Sequence, residues 1–90
     1  MPRGWTFLTN HAHVLLCIAQ EPGIRMRDIA DRVGITERAA QRIVADLVEE
    51  GYVSRTRVGR RNEYEVDRTR PFRHPLEHEH SVGRLLEIFA

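Results

Sequence analysis

"MRDIADRVGITERAAQRIVADLVEEGYV", residues 26–53, decides how this chain folds. Ile29, Ala30 and Val33 recur at helical spacing and predict a helix over 28–33. Asp28 in its first turn suits the helix dipole, although Arg27 just before it is a poor cap. Gly34 stops that helix. Thr36 then offers its hydroxyl as the cap of a longer one, with Glu37 in the first turn. Along it, Ala40, Ile43, Val44, Leu47 and Val48 form one apolar stripe, and Arg38, Gln41, Arg42 and Ala45 lie off it. Gly51 ends the helix, and Tyr52-Val53 opens a strand.

Upstream, Thr9 or Asn10 can cap a helix near 9–20. Ala12 and the run Val14–Ala19 are too continuously apolar for a half-exposed helix and imply burial on most sides. "EPG" at 21–23 ends it, and "IRM" at 24–26 reads as a short extended piece.

Downstream, "RTRVGRRNEYEV" at 55–66 reads as a hairpin. Gly59-Arg60 as central residues satisfies a type II′ turn, which wants glycine first. That register pairs Val53 with Val66, Arg55 with Tyr64 and Arg57 with Asn62 on one face. Thr56 with Glu63 and Ser54 with Glu65 fall on the other. The base docks through Val53, Tyr64 and Val66, and the tip from Val58 to Arg61 has nothing to bury.

The tail at 68–80 carries prolines and mixed charge and reads as an irregular connector. "SVGRLLEIF" at 81–89 reads as a short amphipathic helix capped by Ser81, within a terminal segment 81–90. A helix this short does not hold alone, so it must pack on its own core or serve as a dimerisation element. The division is then 1–67, a helical and hairpin domain, followed by connector and terminal helix.

Ninety residues suit one domain. A chain this small buries only about 60–65% of the surface its unfolded form exposes, so it gains from a partner copy. Its longest apolar run, "VLLCIA", is far too short to span a membrane, and "MPRGWTF" leads into no signal-like core. A single cysteine excludes an internal disulfide, and Cys17 reads as core packing. These features imply the cytoplasm. No phosphate-binding glycine loop and no nucleophile–base pair is present, so the chain does not read as an enzyme, and nothing calls for a cofactor.

The formal net charge is +1, and all fourteen basic side chains are arginine. From Ser54 to Asn62, Arg55, Arg57, Arg60 and Arg61 stand with no acid among them. A near-neutral protein with one local basic strip has a field whose place on the fold matters. Two helices joined by "VGIT" make a helix-turn-helix connection, and the N-terminal half of the second, here polar and partly basic, enters the DNA major groove in such motifs. Arginine can bond guanine bidentately and glutamine adenine, so Arg38, Gln41 and Arg42 are the candidate readers. Thr36 is placed to bond a phosphate near the helix start. The competing readings are bland: Arg42 pairing with Asp46 one turn on, Gln41 as idle surface, and the hairpin as a solvated loop. Trp5 and Phe7 read as packing for the hairpin or for a partner chain.

The stretches "DIADRVGIT", "QRIVADLVEEGYV" and "VGRRNEYEV", in that order, resemble the winged helix-turn-helix core of bacterial and archaeal transcription regulators. The small MarR-like regulators are the nearest group, and the likeness covers roughly residues 7–67. It implies a mainly α fold with a small β-hairpin (α+β): a three-helix core, a wing and here a C-terminal helix. It also implies that the third helix reads the major groove while the wing, with Arg60 and Arg61 at its tip, lies on the backbone or in the minor groove. The chain is shorter than a typical MarR protein and lacks its long flanking helices. The expected function is a homodimeric, sequence-specific regulator of double-stranded DNA. The alternatives are a winged-helix protein-interaction module and a metal-responsive regulator using His74, His78 and His80, whose spacing matches no fixed ligand pattern. No residue pattern names a small-molecule effector.

Overall fold

The Thr9 and Thr36 hydroxyls accept hydrogen bonds from the Ala12 and Ala39 amides and start two helices, as their positions predict. The computed structural model describes residues 4–90 and orders the elements as α1 (Asn10–Gln20), α2 (Met26–Val33), α3 (Glu37–Glu49), β1 (Val53–Val58), β2 (Arg61–Val66) and α4 (Val82–Ile88). Residues 1–3, which open the stretch read for an export signal, lie outside the described part. Gly34 closes α2 in the left-handed conformation at φ 84°, which glycine adopts without a Cβ clash. The mainly α architecture with one antiparallel hairpin is that of a winged helix-turn-helix.

Val14, Ile18, Ile29 and Val44 are the largest fully buried side chains, so α1, α2 and α3 share one core. Each contributes about 1.5–3 kcal/mol by leaving water. The apolar stripe of α3 faces inward at Ala40, Ile43, Val44 and Leu47, with Val48 half-buried.

The hairpin has the register expected, from Val53↔Val66 through Arg55↔Tyr64 to Arg57↔Asn62. Gly59 alone at its turn has positive φ (63°), which fits a type II′ turn. Val53 and Tyr64 are buried and Val66 is half-buried, whereas Val58 is exposed at the tip. The Tyr64 amide donates to the Pro22 carbonyl at 2.9 Å, fastening β2 to the α1–α2 loop.

Three local expectations need correction. Helix α2 begins at Met26, two residues earlier than predicted, and has no side-chain cap. Half-buried Met26 packs on the core, and the Arg25 carbonyl takes the Asp28 and Ile29 amides, so packing rather than capping sets this start. Ser81 precedes α4 without capping it. The Val82 and Gly83 amides donate instead to the Arg70 and Arg68 carbonyls, so the tail backbone satisfies two of the free helix-end donors. Trp5 and Phe7 do not pack on the hairpin: both are exposed and meet each other edge-to-face, ring centroids 5.0 Å apart.

The tail is a closed loop, pinned by a bridge between Pro71 and Ser81 and by the Phe72 amide on the His80 carbonyl. It returns α4 to the core through Val82 and Leu86. Among the described residues no helix is long and apolar enough to cross a membrane.

Candidate nucleic-acid interface

The capped start of α3 carries the polar face. Thr36, Arg38, Gln41 and Arg42 are all exposed and border one shallow concavity with half-buried Ala39. Residues 38, 41, 42 and 45 repeat at three- and four-residue steps, so they share the face opposite the buried stripe. Thr36 spends its hydroxyl lone pair on the Ala39 amide while the remaining first-turn amides stay open to a ligand.

Arg42 does not pair with Asp46. The Asp46 carboxylate is held by the His11 ring Nε2 at 2.8 Å, a contact that joins α1 to α3. Among the described residues Arg38, Gln41 and Arg42 make no side-chain hydrogen bond or ion pair within the chain. Other arginines are internally engaged: Arg32 bonds Glu21 at 2.8 Å, and Arg70 sends Nε and Nη2 to the Glu50 carbonyl at 3.1 and 2.8 Å. Arg70 thereby closes the C-terminal end of α3, where a cation also meets the negative end of the helix dipole.

On the wing, Arg55 and Arg60 are exposed without an internal partner among the described residues. The Arg57 Nε reaches its own turn at the Gly59 carbonyl, 3.3 Å away. Arg61 is different from the free tip residue the sequence implied. Its Nη2 donates to the Gly23 carbonyl at 2.6 Å and adds a side-chain strut beside the Tyr64–Pro22 bond. One guanidinium has five donors, so this leaves Arg61 others to offer. Glu63 and Glu65 point to the same face as Arg61.

The Arg61 strut, the Arg70 cap and the His11–Asp46 contact were not visible in the sequence. Their partners lie 38, 20 and 35 residues away, and no local pattern marks them. In the tail the His74 Nδ1 accepts the Leu76 amide, and among the described residues no group of three or more ligating side chains converges. Cys17 is buried, and burial pushes its thiol above the ordinary value of 9.0, against a smaller opposing pull from Arg32. At the hairpin base, the Thr69 hydroxyl and then its amide hold the Asp67 carboxyl below the usual carboxylate range.

A helix with an unengaged polar face, set beside a basic two-stranded ribbon on a three-helix core, defines a winged helix-turn-helix protein with a surface suited to a polyanion. A family model described as MarR family matches residues 6–61, and the chain belongs to the MarR family. Among solved structures it is similar to the PcaV transcriptional regulator from Streptomyces coelicolor in complex with its natural ligand. There the identity is 21% and the TM-score 0.58, over 91% of this chain and 60% of that one. It is also similar to the zinc-dependent MarR family transcriptional regulator AdcR in its Zn(II)-bound state. That match has 18% identity and a TM-score of 0.51, over 94% of this chain and 62% of that one. At such identities the likeness is one of fold, and the chain spans about three-fifths of the length of either structure. Comparison with curated proteins returns no match.

Proposed function

We propose that this chain is a sequence-specific, double-stranded DNA-binding transcription regulator that acts as a homodimer on a two-fold symmetric site. Arg38, Gln41 and Arg42 on α3 reach base edges in the major groove or the adjacent phosphates, and Thr36 meets a phosphate at the helix start. Arg60 and Arg61 bring the wing tip to phosphates of the backbone or into the minor groove, with Arg55 and Arg57 behind them on β1. The observation that carries this reading is the first half of α3: two guanidinium groups and an amide exposed together, with no acceptor inside the described chain. Family membership supports it.

Zinc dependence belongs to AdcR by its description. Here His74, His78 and His80 do not converge, so a metal-responsive reading has no geometry to support it among the described residues.

Selection of bound sequences from random duplex DNA tests the proposal. The wild type is expected to enrich inverted repeats with half-sites about one helical turn, roughly 34 Å, apart. Arg38→Ala or Gln41→Ala should relax the preference at one or two positions, whereas Arg60→Ala should leave the selected sequence unchanged. No enrichment, or a consensus altered by the wing change alone, contradicts it.

A further inference from the structure

The α1–α2 loop and the start of β2 face each other across a cleft of about 370 Å³, bordered by Gly23, Arg25, Arg60, Arg61 and Asn62. Three of these side chains carry guanidinium groups, and no carboxylate borders the cleft. Arg25 is exposed and makes no side-chain hydrogen bond or ion pair among the described residues, although Asp28 stands three residues on. Arg60 is equally unengaged. Arg61 is held in place. Its Nη2 on the Gly23 carbonyl at 2.6 Å fixes the guanidinium against the loop and leaves its other donors open. The Tyr64 amide on the Pro22 carbonyl at 2.9 Å keeps the two walls of the cleft together.

We propose that this cleft seats a phosphate of the DNA backbone, and that Arg25 is a further DNA-binding residue that meets it from the wall opposite the wing. The first argument is charge. Three cations around one cleft repel each other, and an anion among them turns that repulsion into attraction. The second is the place of Arg25 in the sequence. It occupies the N-cap position of α2, where Ser, Thr, Asp or Asn would bond a backbone amide, and it makes no such bond. A cation there also opposes the helix dipole, so folding does not explain the choice of residue. A local rule broken without a structural return marks a functional position. The third is shape. The three arginines are exposed, so the cleft is open and suits a chain running through it better than a small molecule enclosed by it. Arg60 and Arg61 are the wing residues given to the backbone above, and a strand that meets them passes Arg25 in the same cleft. Half-buried Asn62 adds a neutral carboxamide donor beside them.

This inference rests on the DNA-binding reading above and adds a residue to it, and the two fail separately. The test is fluorescence anisotropy of the full chain on a selected duplex, and on the same duplex with one phosphate at a time replaced by a neutral methylphosphonate. The variants are Arg25→Ser and Arg25→Lys. Arg25→Ser supplies the missing cap, so it should raise Tm while weakening DNA binding about 10-fold on all sequences alike. A purely structural role for Arg25 would move both quantities the same way. Arg25→Lys keeps the charge and should retain most of the affinity. Wild-type binding should fall at one methylphosphonate position per half-site to which Arg25→Ser is indifferent, the mark of a direct contact. Inorganic phosphate should displace the duplex no better than chloride at equal ionic strength. An Arg25→Ser variant that binds as the wild type does, or that responds to every methylphosphonate as the wild type does, overturns the inference and leaves the DNA-binding reading standing. Specific displacement by inorganic phosphate gives the cleft to a free phosphate ligand and overturns the assignment to the backbone. A wild type that binds no duplex overturns both.

Discussion

Arg60 and Arg61 are adjacent on the hairpin and carry the same charge, and replacing each by alanine separates a phosphate contact from a strut. Arg60 has no internal partner among the described residues, whereas Arg61 donates to the Gly23 carbonyl at 2.6 Å. In the proposed DNA complex each of these two arginines neutralises one phosphate per chain. Either loss therefore removes about 0.9 per chain from the slope of log K against log salt, taking a dimer from about −7 to about −5. In the free protein the two differ. A charged donor on a neutral carbonyl is worth about 1 kcal/mol in this exposed setting, below the value for a buried site. For a domain this small that is a fall of roughly 4–8 °C in Tm. Arg61→Ala should lower both slope and Tm, and Arg60→Ala the slope alone. Fluorescence anisotropy over a salt series and calorimetry at matched protein concentration read the two quantities. Equal Tm values for the variants would refute the strut, and an unchanged slope for Arg61→Ala would remove it from the phosphate contacts.

Arg70→Ala removes both donors from the Glu50 carbonyl and a cation from the end of α3, and should cost about 1–2 kcal/mol in urea unfolding, with Arg70→Lys intermediate. Gly83→Ala would place a Cβ 2.8 Å from the Arg68 carbonyl oxygen, so α4 must shift, and unfolding should become easier by about 1–3 kcal/mol. The Asp67 carboxyl titrates below its usual range because Thr69 bonds the charged form, so the stability it adds is present above the ordinary carboxylate range and is lost as the pH falls through the lowered value. Thr69→Ala should move its NMR titration upward, and an unmoved midpoint would discount the hydroxyl. Cys17 should resist thiol reagents at neutral pH in the folded protein and react on unfolding. Its raised thiol value also means that stability present below 9.0 is lost as the pH rises beyond it.

The parts of this fold that were legible in the sequence are those set by short-range chemistry. Gly59 and the alternation of Val53, Tyr64 and Val66 leave the hairpin one register that buries its base, because a slip by one residue would turn those side chains outward. Thr36 and the stripe from Ala40 to Leu47 fix both the start and the inner face of α3, and so the outer face as well. What was not legible depends on chain closure. Asp46 lies one turn from Arg42, the partner helical spacing favours, yet His11 arrives from another helix and takes it. Ser81 has the right chemistry for a cap, but the tail backbone reaches the same amides first. The pattern of α4 says that Val82 and Leu86 are apolar on one side, while only the packed core shows which apolar side chains are left outside.

The central claim is that the first half of α3 and the wing together face a polyanion, and the salt dependence of binding to a selected duplex measures it most directly. With Arg38, Arg42, Arg60 and Arg61 engaged on both copies, log K should fall against log salt with a slope of about −7, and the Arg38→Ala/Arg42→Ala variant should bring it to about −4. A slope near zero, or one that this double substitution leaves unchanged, contradicts the account.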